Sequence, residues 1–268
     1  MSFEIEELIE VDDLRELAEL WARVWERPGE PLMDSGLLRA LAHSGNYIAG
    51  ARSHDGLAGG IVGWFGGHPP HDLHVHSHIL GVLPGIGAPG LGFALKQHQR
   101  TWCLERGIKT VEWTFDPLVR RNAYFNLTKL GAGAARYLVD FYGAMSDGIN
   151  TGDESDRILI SWDLVSPRAE AAARGAAHEL ATDRLAGEGA ARALVVGVDG
   201  EPHDAEFAGP IVMLQVPDDI VAIRRTQPEL ARRWRHALRA SLGGALSRGY
   251  SVLGVTRDGW YVLELRRK

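Results

Sequence analysis

The sequence predicts an α+β fold built on a mixed sheet, followed by a smaller α+β C-terminal lobe. Three observations carry this. Strand-like and helix-like stretches alternate through residues 1–165, the composition changes at Ser166-Pro167, and a shorter alternation continues to residue 268. The first stretch, FEIEELI (3–9), alternates as a half-buried strand does. From Asp12 or Asp13 onward, Leu14, Leu17, Ala18, Trp21 and Trp25 fall on one helical face, and Pro28-Gly29 stops the pattern. A shorter helix is expected over 36–42. Residues 46–52 and 57–66 read as strands around the turn-forming His54-Asp55-Gly56, and 71–82 as the next strand. A glycine-rich loop then leads into a helix at 93–106 that ends at Gly107. A strand at 109–115 follows, then a helix at 119–130 closed by Gly131, and strands at 136–143 and 157–164.

The second lobe, 166–268, opens with an alanine-rich helical region over 168–191, where large apolar groups are few. Residues 192–198 and 210–216 are strand-like. Leu230, Trp234, Leu238, Leu242 and Leu246 give one apolar face to a long helix. Strands at 250–256 and 260–266 flank Arg257-Asp258-Gly259, a hairpin signature. The order of strand 210–216, helix 230–246 and strand 250–256 repeats that of 72–115, with PDDIVAIRRTQPE in place of the glycine loop. A degenerate copy of the first half is therefore expected. It would lack a ligand site and cover part of the first lobe or a second copy of the chain, which leaves a homodimer open.

Charge and cysteine content exclude several classes of function. The chain carries 29 basic and 35 acidic side chains, a net of −6, split as −8 over residues 1–165 and +2 over 166–268. Neither part has the basic surplus of a nucleic-acid binder, and Arg232, Arg233, Arg235 and Arg239 read as the wet face of a helix. No apolar run is long enough to span a membrane. The acidic start MSFEIEELIE lacks the pattern of a secretory signal. The single cysteine, Cys103, allows no internal disulfide. A cytoplasmic protein is expected, with Cys103 a buried small apolar group.

The informative window is His76–Leu130. Gly85, Gly87, Gly90 and Gly92 leave backbone amides bare where a helix begins, a place suited to a phosphate or pyrophosphate. No Gly-Lys-Ser/Thr follows, so this is not a Walker loop. A Rossmann fingerprint would want an earlier strand and an acidic residue at the end of the next one. Five of the 11 histidines lie between 68 and 78: His68, His71, His74, His76 and His78. At the period of a strand the last three share a face. They read as proton acceptors, as hydrogen-bonded packing residues, or as a metal edge with His98, His178, His203 and His236 as the remaining candidate ligands. Asp116 reads as a cap, a ligand or an ion-pair partner of Arg120 or Arg121. Arg157, in a polar loop running from Asp147, reads as a carboxylate clamp or part of a solvated connector. Trp64, Trp102, Trp113 and Trp162 read as mostly core.

Val82, Pro84, Gly90 and Gly92, at their spacing, resemble the first signature of the GNAT superfamily of acyl-CoA-dependent N-acyltransferases. Asn122 through Lys129-Leu130-Gly131 loosely resembles the second. The order of strand, two helices, three strands, loop-helix, strand, helix and strand is similar to that family over about the first 145 residues. The layout also resembles a bacterial GNAT group with a C-terminal extension. HSHILGV resembles the arylalkylamine N-acetyltransferase branch, where paired histidines relay a proton. The resemblance implies acetyl-CoA or another acyl-CoA as co-substrate, bound by Val82, Leu83, Gly87, Ala88, Gly90, Leu91, Gly92 and Asn122. It implies His78 and His76 as base and relay, and a small amine or amino acid as acceptor that attacks directly in a ternary complex. Gly87 stands where the family has Arg or Gln. Leu127 stands where it often has the tyrosine acid, so Tyr124 is the candidate catalytic acid, with Tyr142 as a second nearby substitute. A non-catalytic CoA-binding protein and a metal-dependent hydrolase are the alternatives.

Overall fold

A computed structural model of the chain describes residues 2–27, 29–67, 73–145, 152–205 and 209–266. Two compact units divide it, one reaching to Trp113 and the other starting at Thr114. That division falls ahead of the compositional change at Ser166. Among the described residues, no helix is long and apolar enough to cross a membrane.

The first unit runs β1 (Glu4–Glu7), α1 (Val11–Val24), α2 (Ser35–His43), β2 (Tyr47–Ser53), β3 (Gly56–Gly66), β4 (His74–Val82), α3 (Leu91–Glu105) and β5 (Thr110–Phe115), whose last two residues begin the second unit. This is the element order expected from the sequence. β1 to β4 pair antiparallel in chain order, and β4 pairs β5 in parallel, so the sheet is mixed. Leu14, Leu17, Ala18 and Trp21 bury the inner face of α1, while Asp12 and Asp13 sit in its first turn and Arg23 in its last, each favourable to the helix dipole. Asp34 caps α2 by accepting from the amides of Gly36 (2.7 Å) and Leu37 (3.2 Å). Leu8, Leu17, Leu20, Trp21, Leu38, Ile48, Val62 and Ile79 form the core on this side of the sheet.

In the second unit, α4 (Arg120–Tyr124) continues as a π-turn over Phe125–Lys129, and β6 (Gly133–Leu138) pairs antiparallel with β7 (Arg157–Asp163). The strand expected at 136–143 thus begins earlier, and Val139, Phe141 and Tyr142 are exposed in the turn beyond it. The alanine-rich region breaks into α5 (Pro167–Ala173) and α6 (Thr182–Gly187). β8 (Ala191–Val196), β9 (Pro202–Asp204) and β10 (Ile211–Gln215) precede α7 (Ile220–Thr226) and α8 (Pro228–Leu238). The latter passes through a π-turn at Arg239–Gly243 into α9 (Gly244–Ser247), and β11 (Tyr250–Val255) and β12 (Trp260–Leu265) end the chain. The sheet order is β11-β12-β10-β8-β9. β12 therefore lies between β10 and β11, whereas β4 and β5 are direct neighbours, so the pairing of the first half is not repeated.

A buried ionic cluster explains why residues after Thr114 belong with the C-terminal sheet. Arg235 holds Asp116 with two nitrogens (2.8 and 2.9 Å) and Asp153 at 2.7 Å. Arg224 reaches Asp153 at 2.9 Å and also binds Asp116. Arg239 holds Asp156 at 2.7 Å and pairs with Glu154. The expected partners of Asp116 do not take it, since Arg120 binds Asp218. Arg235 is not on a wet face either: it is fully buried, while Arg232 and Arg233 stay exposed. Arg157 is buried rather than solvated, and donates to the Asp156 carbonyl at 2.9 Å.

Candidate active site

The ladder between β4 and β5 is short. Val75 pairs Val111 and His76 pairs Glu112; beyond them, among the described residues, β4 runs on to Val82 with only β3 beside it. At this point β4 also bulges. Val62 faces Ile79 and Gly63 faces Ser77, which leaves His78 as the extra residue. The phase of the strand shifts there. Ser77 lies on the α3 side, whereas Ile79 joins the α1 core and a Cβ at Gly81 would meet Trp21 and Trp25.

Past the bulge, backbone direction follows from the antiparallel pattern, in which alternate residues bond to the neighbouring strand. The Leu83 amide donates to the Ala58 carbonyl (2.9 Å). Gly81 and Ile79 therefore bond in the same direction, and the N–H and C=O of Leu80 and Val82 point to the open edge. The Val82 backbone thus faces the open edge together with that of Leu80, whereas the Leu83 amide is taken by Ala58.

The loop that follows is exposed, and Gly85, Gly87 and Gly90 adopt positive φ (76, 64 and 89°) that a larger residue would resist. Gly90 is the N-cap of α3, with no side-chain cap and no charged group in the first turn. Leu91 donates to Ala88 (3.3 Å), and the first helical bond runs from Ala94 to Gly90 (2.9 Å). The amides of Gly87, Ala88, Gly90 and Gly92 find no acceptor among the described residues. Bare amides at the positive end of a 15-residue helix suit an anionic group. A Cβ on Gly90 would meet no protein atom, so substitution there acts through backbone strain and through whatever occupies that space.

The His76 and His78 rings lie together, with centroids 5.6 Å apart, and both rest on Trp64 at 5.1 and 4.7 Å. Trp64 faces His76 directly across the strands and is half-buried, so it packs against the α1 core and also floors the histidine pair. Burial pulls the His76 pKa down to about 4, and positive charge on His78, His74 and Lys96 adds to the effect. His78 reaches solvent, yet burial of its inner edge still lowers its pKa. Both rings are therefore neutral acceptors at pH 7. His74 turns to Glu112 at 3.6 Å. His68 and His71 lie outside the described residues; among those described, no three His, Cys, Asp or Glu side chains come together as a metal site.

Asn122 and Tyr124 lie on α4 in the second unit. The Tyr124 hydroxyl donates to Glu179 at 2.5 Å, and burial followed by that carboxylate pushes its pKa up to about 12, so the phenol keeps its proton. Tyr142 bonds Thr114 (3.1 Å). Cys103 is buried with its thiol pushed up to about 12, as a packing residue should be. Sequence reasoning passed over Trp64 as a partner of the histidines, and passed over Lys96 altogether. Lys96 had a signal: it shares a helical face with Gln99 and Cys103, at spacings of three and seven.

No family model and no curated protein matches the chain. Among solved structures it is similar to Arabidopsis thaliana Naa50 in complex with a CoA-containing bisubstrate analogue, at 19% identity over 60% of this chain and 98% of that one, with a TM-score of 0.48. It is similar also to an acetyltransferase of the GNAT family from Streptococcus pneumoniae, at 17% identity over 60% and 98%, TM-score 0.48. A third is the ribosomal-protein-S18-alanine N-acetyltransferase from Escherichia coli, at 16% identity over 60% and 93%, TM-score 0.45.

Proposed function

We propose that the protein is an acyl-CoA-dependent N-acyltransferase that moves an acetyl or other short acyl group to the amine of a small molecule or amino acid. The supporting observation is the bulged parting of β4 from β5, followed within the same unit by the uncapped, glycine-opened start of α3. The open edge at Leu80 and Val82 offers alternating donors and acceptors to the amide-containing pantetheine arm. The amides of Gly87, Ala88, Gly90 and Gly92 take the pyrophosphate, and a β4 amide polarises the thioester carbonyl as negative charge grows on its oxygen. Neutral His78 takes the proton from the ammonium, directly or through one water, with His76 and Trp64 fixing its position. The freed amine attacks the thioester carbon, the C–S bond breaks, and CoA leaves as a thiolate that takes its proton from water. The second unit binds no acyl-CoA of its own in this reading: after β10, the Asp219 carboxylate already caps α7 by accepting from the Ala222 amide (3.0 Å), which leaves no place for an anion. A protein that binds acyl-CoA without transferring it is the second reading, favoured by the committed proton of Tyr124.

Isothermal titration with acetyl-CoA tests the proposal. One site per chain is expected, weakened at least tenfold by Gly90→Ala. Gly85→Ala carries comparable backbone strain outside the amide cluster and should bind nearly as wild type. Absence of binding, or equal effects of the two substitutions, rejects the site. Turnover of any amine in a panel rejects the second reading.

A further inference from the structure

Lys96 takes no part in the chemistry above, yet it stands where the two strands part. Its side chain is buried on α3, and its Nζ donates to Ser77 Oγ (2.9 Å) and Gln99 Oε1 (3.0 Å) and lies 3.7 Å from the centre of the Trp113 ring. Ser77 and Trp113 directly follow the last paired residues, His76 and Glu112. They would form the next rung if the ladder continued. One ammonium therefore touches both strands at their point of divergence and is anchored to the helix whose start forms the anion site. We propose that Lys96 is a positioning residue: its ammonium clamps the bulge of β4 to α3 and β5 and holds open the edge that receives the acyl-CoA arm.

An apolar side chain of similar length would fill this space without desolvating a charge, so the lysine is a poor choice for stability alone. The arrangement also leaves the buried Gln99 Nε2 without an acceptor, another sign that the cluster is not arranged for packing alone. Burial draws the Lys96 pKa down to about 7, opposed by Cys103. The other groups facing it from the packed elements are Ser77 and His76 on β4, Gln99 on α3 and Trp113 on β5; Tyr47 on β2, beside Cys103, keeps its proton because burial raises its pKa. Only His76 among these bears on the histidine pair. Lys96 charge is one cause of its low pKa, so the clamp and the histidines are coupled through the strand.

The inference rests on the acyltransferase reading for the nature of the ligand only, and the test separates the two. Lys96→Met in the full chain should melt no lower than wild type, bind acetyl-CoA at least tenfold more weakly, and raise the His76 pKa in a ring-proton NMR titration. Ser77→Ala cuts the clamp but keeps the charge, so it should weaken binding without moving His76, and it serves equally if Lys96→Met does not fold. Should wild type bind no acetyl-CoA, the acyltransferase reading fails. The clamp then stands or falls on the His76 shift and on faster amide exchange over residues 77–82 in the variants. Wild-type affinity together with an unmoved His76 titration in Lys96→Met would make Lys96 a packing residue and overturn the proposal, as would unchanged exchange where no ligand binds.

Discussion

In the proposed reaction, one property separates His76 from His78. Both are neutral at pH 7, but His78 reaches solvent while His76 is half-buried against Trp64. An incoming ammonium can meet His78 first. Burial lowers the pKa of both rings, and a base works only when unprotonated, so the acid limb of the pH–rate profile should lie below the ordinary histidine value of about 6.5. His78→Ala should lose roughly 100- to 10,000-fold in kcat/KM with acetyl-CoA affinity near wild type, once a panel of amines has yielded an acceptor. A limb at or above the ordinary value, or a variant that keeps its rate, would assign the proton to another group. At this scale the sequence was informative about residue type and poor about surroundings. Period-two spacing put the histidines on one face. The bulge at His78, which shifts the phase of the strand beyond it, stayed hidden, because one extra residue leaves normal alternation on either side of it.

Helices and strands of the first unit were legible because each has its own periodicity and its own stop signal: Gly107 after α3, the turn at Gly56, Asp34 before α2. The second unit was less so. Its organising contacts join carboxylates at 116, 153 and 156 to arginines at 224, 235 and 239, and charge in a sequence does not name its partner. The spacing of Leu230, Trp234 and Leu238 correctly marked a buried helix face, while Arg235 beside Trp234 was assigned to water. Its guanidinium is instead the hub of α8, bound at both ends of the Asp116 carboxylate and to Asp153. Arg235→Ala leaves Asp116 buried with half its compensation, and breaking such a pair costs about 3–5 kcal/mol. Arg235→Lys should recover little, since an ammonium cannot grip a carboxylate with two parallel bonds. Urea unfolding followed by circular dichroism measures this. A loss near 1 kcal/mol or below for Arg235→Ala, in the range of about 0–1 kcal/mol typical of exposed pairs, would mean that water replaces the arginine.

For the molecule as a whole, these environments set how stability depends on pH, and two windows separate on the acid side. In the unfolded chain His76 titrates near 6.5, while in the folded protein its pKa is about 4. Below the unfolded value the unfolded chain binds a proton that the folded ring refuses, so stability falls as pH drops from about 6.5 toward 4 and levels off beneath. Asp116 and Asp156 act lower. The guanidinium of Arg235 beside the first and that of Arg239 beside the second hold their pKa values down against burial. Their contribution is present above the unfolded carboxylate value of about 3.9 and disappears as pH falls through the folded values. His76 belongs to the first compact unit and the two aspartates to the second, so the windows report on different parts of the chain. On the alkaline side stability should rise between about 7 and 10.4, where folded Lys96 has given up the proton that the unfolded chain still binds. Cys103, which keeps its proton to about 12, works in the opposite sense over much of that range. The acid windows are thus the cleaner test. Thermal midpoints recorded from pH 7.5 to 3 should decline first between 6.5 and 4 and again below 4. His76→Asn should make the first decline shallower, leaving the part that His78 and His98 contribute, and should leave the second intact, because the amide has no proton to take up. Parallel curves for wild type and His76→Asn between 6.5 and 4 would show that His76 is as well hydrated in the folded protein as in the unfolded chain, and would remove the ground for its low pKa.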